Sequence, residues 1–279
     1  MEIGVLGSLV VRVDGKSALP SAQKPRQVLA LLVLNANRVV PIAALSRELW
    51  DDKPPQSAMT TLQTYVLHIR KILGKVLGMT SAQVGREILV TRPGGYMFRV
   101  EPGALDLHVY EQRLAEGRAA LAVGDNHRAA RLLCDALTLW RDPPLVDVQP
   151  GRLLEVQIRR LEESRLSALE QRIEADMRLG RHHDIVSELI ELAAEHQLHE
   201  TVHAQLMLTF HRCGRRSNAL TVFRMLRRSL YEELGLEPSM KLERLHQAIL
   251  SCDPVLDTPS DTGALLLLDR LAEGMVRSA

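Results

Sequence analysis

Thr61, Thr64, Tyr65, His68 and Lys71 fall three and four residues apart, the spacing of one side of a helix. Leu62, Val66, Ile69 and Leu73 recur on the opposite side and read as a core-facing stripe. The first set offers hydroxyls, a phenol, an imidazole and an ammonium, with no carboxylate among them. Such a face suits an anionic partner rich in hydrogen-bonding groups, and the DNA major groove is one. No nucleophile–base set and no G-x-x-x-x-G-K-[ST] phosphate loop stand out in the chain, so no catalytic residue is assigned and the protein reads as a non-enzyme.

The elements that position this face are legible around it. A helical pattern from Lys24 to about Asn35 carries Val28, Leu29, Leu31, Leu32 and Leu34. A second, Ile42 to Trp50, carries Leu45, Leu49 and Trp50. The break 51–55 ends in Pro54-Pro55, which suits the start of a third helix through Leu73. Glu87 to Thr91 and Tyr96 to Val100 then read as strands joined by Arg92-Pro93-Gly94-Gly95, a turn signal. Three helices and a hairpin is the order of a winged helix-turn-helix, which makes the helix before the wing the recognition helix. Arg92 at the hairpin tip is placed to reach a phosphate or a minor groove.

Short apolar runs, Ile3 to Leu6 and Leu9 to Val13, precede these helices, and Asp14-Gly15 is a hairpin dipeptide. Together they form a small N-terminal sheet, the feature of the OmpR-type winged helix. Residues 1–100 hold 13 Lys/Arg against 6 Asp/Glu, a formal +7, whereas the rest of the chain holds 22 against 28. The near-zero total therefore hides a basic first third, the sign expected of a phosphate-binding domain.

The remainder is helical in pattern: Leu107 to Val123, His127 to Leu139, Leu153 to Leu179, Ile185 to Glu195, Val202 to Cys213, Ala219 to Leu234 and Met240 to Leu250. Gly124-Asp125, Gly180-Arg181 and Gly214-Arg215 each precede, by five positions from the glycine, a small or apolar residue: Ala129, Ile185 and Ala219. The last two copies are 34 residues apart, the tetratricopeptide period. Stacked helix pairs of this kind bind other proteins. The fold class is thus mainly α with a small β part, a winged helix-turn-helix domain followed by an all-α tetratricopeptide-like helical repeat domain.

Residues 24–32 (KPRQVLALL), 54–58 (PPQSA), Gly95-Tyr96, 105–108 (LDLH), 136–145 (ALTLWRDPPL), 160–163 (RLEE), 172–176 (RIEAD), 204–207 (AQLM) and 232–238 (EELGLEP), in this order and spacing, resemble the Streptomyces antibiotic regulatory protein (SARP) family. The resemblance covers about Glu2 to Asp253. It implies an OmpR-type domain, the output type of two-component phosphorelays, over 1–102. A bacterial transcriptional activation domain over 103–253 and a linker with a short C-terminal helix over 254–279 follow.

Such a protein is expected to be a transcriptional activator of an antibiotic or other secondary-metabolite gene cluster. It would bind direct repeats in double-stranded promoter DNA overlapping the −35 region, as a dimer or side-by-side protomers. It would recruit the RNA polymerase holoenzyme through the sigma factor and the alpha subunit's C-terminal domain. Carried onto this chain, the resemblance puts Ser57, Thr60, Thr61, Thr64, Tyr65, His68 and Lys71 on the recognition helix and Arg92 and Tyr96 on the wing. Lys24 and Arg26 fall at phosphate-contacting positions. The stretch with Arg47, Glu48, Asp51 and Asp52 matches the polymerase-facing loop, where acidic side chains suit basic sigma helices. The alternative from another class is a helical-repeat interaction adaptor without sequence-specific DNA binding. The positive first domain and the carboxylate-free face favour the activator.

Cys134, Cys213 and Cys252 lack metal spacing and read as reduced packing thiols in a cytosol, and Trp50 and Trp140 read as packing anchors. His196, His199 and His203 sit at helical intervals beside Glu195 and Glu200. The resemblance puts 195–201 at a turn between repeat helices, where polar residues are ordinary, so no metal and no cofactor are expected. The N-terminus is not a signal peptide and no apolar run reaches transmembrane length, which gives a cytoplasmic, nucleoid-associated protein with no membrane partner.

Overall fold

The computed structural model describes residues 1–257, Ala264 and Leu267; the expected C-terminal linker and helix otherwise lie outside the described residues. The chain forms two compact units, Met1–Arg113 with Asp135–Leu166, and Leu114–Cys134 with the residues from Ser167 onward.

The first unit begins with an antiparallel sheet of β1 (Glu2–Gly4), β2 (Val10–Val13) and β3 (Lys16–Ser17), in the order β1-β2-β3. Val13 pairs with Lys16 across Asp14-Gly15, both at positive φ (49° and 77°), the backbone a type I′ turn requires. Then come α1 (Gln23–Leu34), β4 (Val40–Pro41), α2 (Ile42–Trp50), α3 (Ala58–Leu77), α4 (Ser81–Glu87), β5 (Leu89–Arg92) and β6 (Gly95–Phe98). The core is the expected one: Val28, Leu29, Leu32, Leu45, Leu49, Leu62, Ile69 and Leu73 are all buried.

Three details differ from the sequence reading. Pro54 and Pro55 lie in the loop before α3, and the helix runs on to Leu77. Glu87 ends α4 instead of opening a strand. The wing hairpin is tighter than expected, since Arg92 pairs with Gly95 and only Pro93-Gly94 turn. Proline at a negative φ followed by Gly94 at +77° is the type II pattern. The second sheet has the order β4-β6-β5, so the middle strand of the wing is anchored to the segment ahead of α2.

Residues 140–148 are stitched to the N-terminal strands. Arg141 N donates to Leu6 O (2.9 Å) and Leu145 N to Gly7 O (2.7 Å). The Asp147 carboxylate accepts from Leu9 N (2.7 Å) and Arg26 Nη1 (3.0 Å). Asp106, opening α5 (Asp106–Ala122), accepts from Val5 N (2.9 Å), Leu6 N (3.1 Å) and Arg141 Nη2 (3.1 Å). Burial raises its pKa, opposed by those hydrogen bonds and by the Arg141 charge. Trp140 is buried, edge-on to Tyr110 at 5.4 Å, while Trp50 is half-buried.

In the second unit, α8 (His182–Glu195), α9 (Glu200–Arg212), α10 (Arg216–Leu234) and α11 (Met240–Ser251) follow the end of α7 (Arg152–Arg178), with a 3-10 turn at Pro254–Asp257. The remaining part of α5 and most of α6 (Asn126–Leu137) also belong to this unit. Gly124, Gly180 and Gly214 have φ of +81°, +75° and +73°, the left-handed conformation that ends a helix without a Cβ penalty. Ala129, Ile185 and Ala219 are each 2 % exposed or less, as helix-crossing positions require. The helix α9 is buried from Val202 through Phe210 and packs on both α8 and α10.

Candidate nucleic-acid interface

The helix α3 keeps its two faces apart. Leu62, Val66, Ile69 and Leu73 are each 1 % exposed or less. Ser57 before the helix, and Thr60, Thr64, His68 and Lys71 along it, are exposed; Thr61 and Tyr65 are half-buried. The helix contains no Asp or Glu at all. Thr64 Oγ1 donates to Thr60 O at 2.9 Å, so its hydroxyl is left to accept. Leu67, 44 % exposed, lies on the same face between Thr64 and Lys71. A lone leucine among polar neighbours carries no spacing signal of its own, yet an apolar side chain there suits a thymine methyl.

The wing is held against this helix by Arg70, which sequence reasoning did not single out. Its Nε and Nη2 donate to Leu89 O (3.0 and 2.7 Å) and Nη2 to Thr91 Oγ1 (2.8 Å). Burial lowers its pKa, and the Tyr96 phenol opposes that. Nothing in the spacing separates Arg70 from a solvated arginine; only the fold brings β5 to it. Arg92 is exposed at the tip of the wing. Tyr96 is not: it is 6 % exposed, paired with Val40 on one side and Thr91 on the other, so its expected place on the DNA surface is corrected. The glycine before it is fixed by space, since a Cβ on Gly95 would lie 2.2 Å from Val40 O.

The remaining expected contacts divide. Lys24 is exposed, with Nζ donating to Leu49 O at 2.6 Å. Arg26 is half-buried and bound internally to Asp147 and to Pro20 O (3.1 Å), which gives it a structural role in place of a free phosphate contact. Arg47, Asp51 and Asp52 are exposed. Glu48 is a correction. It is 3 % exposed and faces inward, accepting from Gln27 Nε2 (2.8 Å), Gly151 N (2.6 Å), Leu153 N (2.8 Å) and Leu154 N (3.1 Å). A carboxylate on free N–H groups at the start of α7 satisfies donors that the helix itself cannot. It offers nothing to a partner on the surface.

A basic helix face and an exposed wing on an OmpR-type sheet, followed by left-handed glycine breaks in a helical repeat, call for comparison with known proteins. The family model "Transcriptional regulatory protein, C terminal" matches residues 16–113, and "Bacterial transcriptional activator domain" matches residues 105–250. Regulatory protein DnrI of Streptomyces peucetius is 46% identical over 92% of this chain and 94% of its own length. The chain belongs to the SARP family of transcriptional activators. Another SARP relative, transcriptional regulator RedD of Streptomyces coelicolor, is 34% identical over 93% of this chain and 73% of its own length. The solved structure of Mycobacterium tuberculosis EmbR in complex with a low affinity phosphopeptide superposes with a TM-score of 0.85 at 31% identity. It covers 99% of this chain and 70% of that one.

His199 Nδ1 lies 3.2 Å from Glu170 Oε1, and His203 Nδ1 meets His199 O at 3.0 Å. Among the described residues no three His, Cys, Asp or Glu are grouped to hold a metal ion, and no helix is long and apolar enough to cross a membrane. The cysteines were expected to pack, but Cys134 and Cys252 are exposed and only Cys213 is partly covered. A lone cysteine on an amphipathic helix carries too little pattern to say which side it takes.

Proposed function

We propose that this protein activates an antibiotic or other secondary-metabolite gene cluster by binding direct repeats overlapping the promoter −35 region. The observation that carries the reading is α3. Four apolar anchors are sealed into the core while Thr60, Thr64, His68 and Lys71 stand exposed, with no carboxylate anywhere on the helix. In this reading α3 enters the major groove and its hydroxyl and basic groups divide between phosphates and base edges. Ser57, Thr61 and Tyr65 flank that contact, Arg92 reaches the adjacent backbone or minor groove, and Lys24 adds a phosphate contact. Protomers bind side by side, one per repeat. Arg47 in the last turn of α2 and Asp51 and Asp52 just after it, all exposed, face the polymerase holoenzyme, with the sigma factor and the alpha C-terminal domain as its contacting parts.

The test is a genome-wide pull-down of DNA fragments with the full-length protein at near-physiological salt. Enrichment of a few promoters with direct repeats about one helical turn apart is expected. Uniform retention that vanishes with added salt, without an enriched site, refutes sequence-specific activation and leaves only phosphate attraction.

A further inference from the structure

The second unit contains a groove that the transcriptional reading does not use. It has a volume of 480 Å³, with α9 as its floor and α8 and α10 as its walls. The middle is apolar: Ala194, Leu206, Val222 and Met225 line it. Two of these walls carry large apolar side chains that are unusually open, Met225 at 65% and Ile190 at 44%. Large apolar side chains left open along one concavity suit the apolar body of a small ligand.

The polar groups sort to the ends. Consecutive helices joined by short turns run antiparallel, so the end of α9 and the start of α10 place Phe210, Arg215 and Asn218 together. There the Arg215 guanidinium lies 4.6 Å from the Phe210 ring. The opposite end has Gln197, His203 and Ser229. His203 is buried, which lowers its pKa and so favours the neutral ring. With Nδ1 donating to His199 O, its Nε2 is an acceptor for a hydroxyl or amine. From Asn218 to Ser229 the α10 wall is about 16 Å long at ~1.5 Å per residue.

We propose that this groove binds a small amphiphilic organic acid, with a flat apolar body in the middle, its anionic group at Arg215 and a hydrogen-bond donor at the His203 end. The volume lies within the range of about 300–1,000 Å³ for small-molecule sites. Among the described residues, Arg215 is the one arginine or lysine on the lining, and the lining carries no carboxylate. One cation at one end matches one anionic group better than the repeated charges of a partner helix.

The test uses two dyes on the same scaffold, anilinonaphthalene sulfonate and its neutral counterpart phenylnaphthylamine, titrated into the full-length protein. Both should bind saturably at one site. Ala194→Trp, at an exposed position on the wall, should abolish both while leaving far-ultraviolet circular dichroism unchanged. Arg215→Gln should weaken the sulfonate about three- to fivefold, the upper part of the range for a solvated ion pair. The neutral dye should stay within about twofold. Dye binding that survives Ala194→Trp, or equal losses for both dyes in Arg215→Gln, overturns the proposal. So does failure of both dyes to saturate while an amphipathic helical peptide binds in an Ala194→Trp-sensitive way, which would make the groove a protein-docking surface. None of these readouts involves DNA, so the outcome is independent of the promoter reading.

Discussion

Replacing Glu48 by alanine separates two accounts of the same residue. If its carboxylate were a surface contact to polymerase, Glu48→Ala would fold normally and lose only activation. The structure predicts the reverse. Three donors lose their acceptor, the backbone N–H groups of Gly151, Leu153 and Leu154, while Gln27 Nε2 keeps only the Glu48 carbonyl at 2.9 Å. A buried donor without a partner costs about 1–3 kcal/mol, and loss of a helix N-terminal cap alone about 0.5–2 kcal/mol. These terms overlap, because water entering the space left by the side chain rehydrates part of the helix start. A total of about 3–5 kcal/mol is expected, the range for breaking a buried charged network by removing one member. With a urea m-value of about 2 kcal/mol/M, the midpoint falls by about 1.5–2.5 M. Tryptophan fluorescence is the natural probe, since Trp50 and Trp140 are the two tryptophans of the chain and both lie in the first unit. Glu48→Gln retains one acceptor oxygen and should lose about half as much. A midpoint shift below about 0.5 M for Glu48→Ala would refute the capping argument.

Lys71→Ala combined with Arg92→Ala should weaken promoter binding and lower the slope of log K against log salt by about 1.8, near 0.9 per lost phosphate contact. The tryptophan transition should not move, and an unchanged slope would rule out the docking pose. Ile69→Ala, on the sealed face of the same helix, should instead destabilise the first unit by about 2–5 kcal/mol in a urea titration. For pH, burial depresses His182 to about 4 and shifts His203 and His246 in the same direction, against an unfolded value of 6.5. A histidine depressed on folding stabilises fully above 6.5 and loses that contribution as pH falls toward 4, because the unfolded chain takes up protons that the folded one excludes. Circular dichroism melts of the full chain should show the tryptophan-free transition weakening between pH 7 and pH 5. His182→Gln should flatten that dependence, and a pH-independent transition would count against the burial of these rings.

Periodic, amphipathic segments were legible in the sequence. The bounds of α2 at Ile42–Trp50 match the pattern, and the four apolar anchors of α3 face the core. The three glycine breaks have the backbone that their spacing demanded. The seven-residue α4 escaped because it is too short to show a period, although Thr80 and Gln83 form a capping box that was open to reading. The two-residue β4 carries no local signal at all. The site residues that moved, Arg26, Glu48 and Tyr96, share one cause. Each is a polar residue placed by a segment distant in sequence, Arg26 by Asp147, Glu48 by Gly151 and Tyr96 by backbone pairing with Val40, and one-dimensional spacing treats such residues as solvated. Trp140, Arg141 and Leu145 pack or hydrogen-bond within the first unit, against Tyr110 and the N-terminal strands, through contacts that no local periodicity announces.

The close approach of Gly95 to Val40 sets terms for anyone wishing to retarget this regulator. Transplanting a whole hairpin from another protein would bring a side chain into the Val40 carbonyl unless position 95 stayed glycine. Gly94 O also holds Ile42 N at 3.0 Å, so a longer tip would pull on the start of α2. The editable alphabet of the wing is therefore short: Arg92 and Pro93 are exposed and can change without disturbing the core, and Thr91 only with a hydroxyl or another acceptor for Arg70. On the proposed docking, new operator preferences would have to be written mainly in the outward letters of α3, over a frame that stays constant beneath them.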